Sequence, residues 1–248
     1  MLILLPPSEG KEQRGRGRPL DLGRLSFPEL TAPRARVLGA LRSTSARPDA
    51  VARLTAPPGT AAEVARNAEI LGLPTMPAER LYTGVLYDAL DLASLDGEAL
   101  RRARRWLVVT SALFGALRLG DRVPTYRLPI CAHLDGIDGL EAFWRPVLAP
   151  VLTAAAGRGL VVDCRSSSYV ATWRPAAELA DRWVQVRVPS ASHFAKHTRG
   201  LLTRQLCLAG STASHVPALA DELATSFEVN LHEPTRPGRP WVLDVSAH

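Results

Sequence analysis

Hydrophobic positions along this chain fall into short unbroken runs and longer periodic stretches. Met1–Leu5 is an apolar block closed by two prolines, which predicts a buried strand feeding a loop. "WLVVTSALFG" (106–115) and "GLVVDCRSSSY" (159–169) repeat that form: an apolar core strand runs into a turn or a polar cluster. "RWVQVRV" (182–188) alternates, as a strand does, and "FEVNLHE" and "WVLDVS" predict two closing strands that form a hairpin. Between them lie helical patterns over 33–71, broken near Pro48 and at "APPGT" (56–60), then over 78–90, 96–105, 139–156 and 194–209. Pro146 and Pro150 interrupt the fourth of these patterns, where a missing N–H and a ring clash oppose a straight helix. Residues 6–30, rich in Gly, Pro and Arg, predict a solvated loop.

Strands interspersed with helices predict an α/β fold, and 248 residues with 46% hydrophobic content are ample for one core. With neither an internal repeat nor a linker in view, residues 1–248 read as a single mixed α/β domain. The cysteines Cys131, Cys164 and Cys207 are widely spaced and lack a C-x-x-C pair, which fits mostly buried thiols in a reducing compartment. The N-terminal apolar run is too short for a signal peptide, and no run approaches the ~18 apolar residues of a membrane span. A cytoplasmic protein with no membrane partner is the expectation. The net charge of +6 favours anionic partners: nucleic acid, nucleotides or phosphorylated metabolites.

Three apolar strands deliver polar residues at their ends. "PPSEGK" follows the first, with Ser8, Glu9 and Lys11; "SALFGALRLGDRVPTYRL" follows the second, with Ser111, Arg118, Asp121, Tyr126 and Arg127. "DCRSSSY" follows the third, with Asp163, Arg165, Ser166 and Tyr169. Ligands of open α/β sheets gather beyond the carboxyl ends of strands, so these groups are candidates for a site; the competing reading is that they cap helices and satisfy turns. Arg118 and Arg127 flank a Gly/Pro turn where a planar guanidinium can hold a phosphate or carboxylate bidentately, with Asp121 as counter-ion or functional acid. "PPSEGK" lacks the glycines of a Walker loop, and no cofactor is expected.

Lysine is nearly absent. Of 30 basic residues only Lys11 and Lys196 are lysines. An ammonium loses its proton far more readily than a guanidinium when buried, so a lysine retained among arginines is either a compositional leftover or a chemical requirement. Lys196 opens "KHTRGLLTR", where a helix start, Arg199 and Arg204 would favour an anion. His193 and His197 have no cysteine or carboxylate at ligand spacing, so no metal is expected. Tyr82 and Tyr87 in "YTGVLYDAL" read as core aromatics, with a base-stacking wall as the alternative.

These blocks, in this order and together with "FW" at 143–144, resemble the YaaA peroxide-stress family over nearly the whole chain. The 111–128 block and the K-x-x-R-G of Lys196, Arg199 and Gly200 are the most specific part of the match. The resemblance implies a cytoplasmic protein that limits iron-linked damage by peroxide and has a cantaloupe fold. It also implies DNA binding through a basic cleft and an inserted helix-hairpin-helix-like element. Here that element would span 49–71, with Arg53 and Arg66 as its cations; it carries no lysine. The loop "PPSEGK" stands where the family has a shorter "SPAK"-like loop.

Two functions follow as expectations. One is DNA binding with Arg118, Arg127, Arg165, Arg199, Arg204, Arg53 and Arg66 contacting phosphates. The other is an enzyme acting on a phosphorylated or nucleobase-containing small molecule, or on a DNA lesion. Its pocket would hold Lys196, Lys11, Ser8, Ser111, Asp121 and Tyr126. Both require these groups to meet in one hollow.

Overall fold

The computed structural model describes residues 1–189 and 192–246. Its strands are β1 (Leu2–Leu5), β2 (Thr75–Pro77), β3 (Leu107–Ser111), β4 (Gly115–Arg118), β5 (Arg122–Pro124), β6 (Val161–Asp163), β7 (Trp183–Arg187), β8 (Glu228–His232) and β9 (Trp241–Ser246). Seven of them form one sheet in the order β4-β3-β1-β6-β7-β9-β8, and β2 pairs with β5 in a small antiparallel ribbon. The strands from β3 through β9 in that order are mutually parallel, while the edges β4 and β8 run antiparallel to their neighbours.

Sequence composition follows position in the sheet. The inner strands LILL, LVVTS and VVD are buried at every residue, because a parallel sheet covered by helices on both faces shows neither side to water. WVQVR, nearer the far edge, is partly alternating, and the edge strand EVNLH exposes or half-exposes every residue. The closing hairpin is present, and its inner strand β9 lies parallel to β7 with Val184 opposite Trp241.

The helical stretch expected over 33–71 is Thr31–Ser45, Ala50–Arg53 and Ala61–Arg66, followed by a 3-10 segment Asn67–Gly72; the breaks fall at Pro48 and "APPGT". The expected helix over 78–90 is instead two, Ala78–Leu81 and Val85–Leu90. Gly84 parts them with φ +94, a backbone region open chiefly to glycine, and Thr83 N–H donates to Gly10 O (3.2 Å) rather than to a helix. Leu140–Ala156 remains helical through both prolines. Leu140, Trp144, Leu148 and Leu152 form its buried stripe, and Trp144 Nε1 donates to Ala112 O (2.8 Å). Residues 6–30 are held down more than a solvated loop would be: Gly17 N–H donates to Thr75 O (2.8 Å), and Lys11 bridges Tyr82.

Asp163 and Arg165 form a fully buried ion pair below the sheet's carboxyl edge, with guanidinium-to-carboxylate distances of 2.8 and 2.7 Å. Arg34, equally buried, donates to the carbonyls of Phe114, Phe27, Ser26 and Ala116 and ties the first long helix to the β3–β4 turn. No helix among the described residues is long and apolar enough to cross a membrane.

Candidate functional site

From β1 the chain passes to β3 on one side, whereas from β6 it passes to β7 on the other. Strand order therefore reverses between β1 and β6, and at such a point the loops leaving the carboxyl ends diverge and open a crevice. It has a volume of about 600 Å³. Its walls come from five places in the sequence: the Pro6–Lys11 loop, the segment from Gly84 to Tyr87, the loop from Tyr126 to Cys131, Ser166 with Tyr169, and Lys196 with Arg199.

The Lys11 backbone is fixed by its bridge to Tyr82 and by Glu12 N–H donating to Leu81 O (2.8 Å). The Lys11 side chain turns back: Nζ donates to Ser8 O (2.7 Å) and reaches Glu9 O (3.4 Å). Nζ also lies 4.6 Å from the centre of the Tyr126 ring and 5.7 Å from that of Tyr82. Among the described residues no carboxylate ion-pairs with it. Burial, then the nearby Arg127 cation, lowers the Lys11 pKa from 10.5 to about 7, against a weaker upward pull from Glu9 and Glu63. Near neutral pH much of this amine is therefore uncharged.

All four tyrosines of the chain meet here. Tyr82 stacks on Tyr87 with centroids 5.4 Å apart, Tyr82 Oη lies 3.0 Å from Tyr126 Oη, and Tyr126 Oη lies 2.7 Å from Ser111 Oγ. Tyr87 Oη donates to Pro6 O (2.7 Å). Burial raises the pKa of each phenol, so all four stay protonated donors.

Two guanidiniums complete the crevice. Arg127, largely buried, reaches Glu9 (3.2 Å) and Glu63 (3.4 Å) through its terminal nitrogens. Arg199 donates from Nη2 to Val186 O (3.3 Å). The Nε of each is buried and has no hydrogen-bond partner among the described residues. A buried unsatisfied donor costs free energy, and two on the lining of one hollow suit a missing acceptor.

Of the residues selected from sequence, Ser8, Lys11, Tyr126, Arg127, Lys196 and Arg199 line the crevice. Ser111 sits behind Tyr126, its Oγ accepting from Leu113 N–H and Phe114 N–H. Asp121 lies elsewhere and is occupied by Ser26 N–H, Ser26 Oγ–H and Arg118 N–H, all at 2.8 Å. Arg118 donates to Arg105 O (2.7 Å), and Arg165 is spent on Asp163, Tyr169 O and Trp173 O. Arg204 clamps Leu90 O and Asp91 O at the end of Val85–Leu90. In the 49–71 segment, Arg53 pairs with Asp49 and Asp135, and Arg66 donates to Gln13. The selection overlooked Glu63 and Cys131, which stand in unremarkable sequence; Tyr87, read first as a core aromatic, lines the crevice as its alternative reading had it.

A second hollow of about 510 Å³ is lined by Arg14, Arg16, Arg80 and Arg122. It lies along the same loop that carries Lys11 into the crevice.

The family described as peroxide stress protein YaaA matches residues 1–228. A UPF0246 protein of Streptomyces coelicolor is 50% identical, the match covering 100% of this chain and 99% of the relative. A UPF0246 protein of Corynebacterium efficiens is 39% identical, over 93% of this chain and 96% of the relative. A third, from Corynebacterium glutamicum, is 36% identical over 93% and 96%. With a match running from the first strand to the start of β8 and relatives aligned nearly end to end, the chain belongs to the YaaA peroxide stress protein family.

Proposed function

We propose that this protein acts in the cytoplasm under peroxide stress by binding DNA, with a backbone phosphate or a single nucleotide seated in the crevice between β1 and β6. The observation that carries this reading is the pair of buried, partnerless Nε–H groups of Arg127 and Arg199 on one hollow. An anionic oxygen is the acceptor that suits them, and Lys196 adds an exposed cation at the same wall. The volume fits one nucleotide-sized group rather than a duplex. The arginine-lined hollow on the same loop extends the positive surface beyond what a small metabolite needs, which favours a polyanion. The helix-hairpin-helix-like role for 49–71 belongs to this proposal only in part, because Arg53 spends its Nε as well as an Nη on two carboxylates, whereas the Nε of Arg127 stays unpartnered.

The test is fluorescence anisotropy of a labelled DNA oligonucleotide across roughly 50 to 200 mM salt, where each neutralised phosphate contributes a slope of about −0.9 in log–log form. Arg199→Gln should weaken binding and lower that slope by about one. Affinity that ignores both salt and this substitution defeats the proposal. A phosphorylated small molecule is the second reading, favoured by the uncharged amine of Lys11. Tight binding of a free nucleotide with none of DNA would select it.

A further inference from the structure

We propose that Lys11 is a covalent site: its Nζ condenses with the aldehyde carbon of a phosphate-bearing ligand to form an imine. The inference rests on the anion seat described above and adds a chemistry to it.

An amine nucleophile needs a free lone pair, a fixed position and room for the electrophile. A neutral amine has two N–H bonds and one lone pair. The two carbonyl oxygens near Nζ, those of Ser8 and Glu9, engage the N–H bonds and leave the lone pair unused. A carboxylate partner would hold the proton on nitrogen, and Glu9 and Glu63 are instead drawn to Arg127. Two tyrosine faces flank the amine, and the backbone bridge to Tyr82 fixes where its side chain starts. The lowered pKa agrees with this geometry, since desolvation next to another cation is a recognised way to activate lysine. Arginine could replace a lysine that only binds phosphate, but not one that attacks carbon. That accounts for a lysine at this position in a chain whose basic residues, Lys196 apart, are otherwise all arginine.

The step balances without a redox partner. The Nζ lone pair forms a bond to the carbonyl carbon, and the C=O π electrons move to oxygen, which takes a proton. That proton comes from nitrogen; the neutral carbinolamine nitrogen then gives up its one remaining proton, which joins the departing hydroxyl as water, and C=N remains. Aldehyde and amine give imine and water. Arg127 and Arg199 hold the phosphate while Lys11 engages the carbonyl, which selects ligands carrying both groups. A small sugar phosphate and the ring-opened sugar of a base-free nucleotide in DNA share that chemistry.

Cyanoborohydride reduces such an imine to a stable secondary amine, which intact mass and peptide mapping locate. The full-length protein is treated near neutral pH with glyceraldehyde 3-phosphate, with unphosphorylated glyceraldehyde, and with an oligonucleotide containing one base-free site or none. With only two lysines and one α-amino group in the chain, assignment is direct. The Lys11 peptide should gain adduct at least about 10-fold over the Lys196 peptide, and the phosphorylated aldehyde should outperform the plain one by a similar factor. Lys11→Arg should abolish trapping and Lys196→Arg should not. The two phosphorylated ligands, trapped separately, identify the source. Adduct confined to Lys196 or the α-amino group, or equal trapping of the unphosphorylated aldehyde, overturns the proposal; wild-type mapping decides this even if a variant misfolds. Binding of both phosphorylated ligands by anisotropy or thermal shift without trapping overturns the imine alone and leaves the anion seat standing. Neither binding nor trapping removes both.

Discussion

Replacing Lys11 with methionine should stabilise the protein at low pH, and the gain should fade as pH rises. The amine's pKa falls from 10.5 to about 7 on folding, chiefly through burial and then through Arg127. Below pH 7 both folded and unfolded chains carry the charge, and the folded one bears it in a poorly solvated crevice. Between about 7 and 10.5 the unfolded chain binds a proton that the folded chain has released, so wild-type stability climbs with pH. Above that window the amine is neutral in both states and the penalty is gone. At about 1.36 kcal/mol per unit the ceiling is about 5 kcal/mol, and solvent access to the half-buried amine reduces the expected difference to about 2–3 kcal/mol. Methionine also forfeits the bonds to Ser8 O and Glu9 O, but that loss does not vary with pH and cancels when the same pair is compared at two values. Buried phenols and thiols titrate alike in both proteins. Urea denaturation of wild type and Lys11→Met near pH 6, 8 and 10, at matched ionic strength, reads the difference directly. A stability gap that stays constant from about pH 6 to 10 would falsify the placement of this amine in a desolvated site.

Two further substitutions probe the frame of the crevice. Asp163→Asn leaves the buried Arg165 guanidinium without its counter-charge and should cost about 3–5 kcal/mol in urea denaturation; a loss under about 1 kcal/mol would mean that the pair is solvated. Gly200→Ala places a Cβ 2.3 Å from Leu86 O and 2.8 Å from the Ala89 Cβ, so the helix Ser192–Ala209 must shift away from Val85–Leu90. About 1–3 kcal/mol of stability should be lost, and DNA affinity should fall as Arg199 moves; unchanged melts and anisotropy would show that the contact is looser than it looks.

The inner sheet was legible because burial on both faces leaves an unmistakable apolar signature. "LILL", "LVVTS" and "VVD" admit few other readings, and the alternation of "RWVQVRV" correctly marked a strand, which the structure places nearer the edge. Strands β2, β4 and β5 were not legible: three or four residues containing Pro, Gly or Arg show no period, and partners elsewhere in the chain decide their conformation. The break at Thr83 and Gly84 was hidden for the same reason, since it answers to Gly10. The candidate site was legible by residue type and not by residue. Arg118, Asp121, Tyr126 and Arg127 stand together in sequence, yet Asp121 is taken up by backbone donors of a turn while Tyr126 and Arg127 reach the crevice. Spacing cannot tell which polar group the backbone will consume.

Because the walls of the crevice are contributed by segments near residues 8, 85, 127, 167 and 197, no fragment shorter than residues 6–199 contains the whole of it. Whatever occupies it fastens the beginning of the polypeptide to its far portion, acting as a clasp on global structure rather than on a local element. An occupant at one hundred times its dissociation constant would deepen the native well by about 2.7 kcal/mol, so a protein that meets its target only during an insult would also outlast that insult better while engaged.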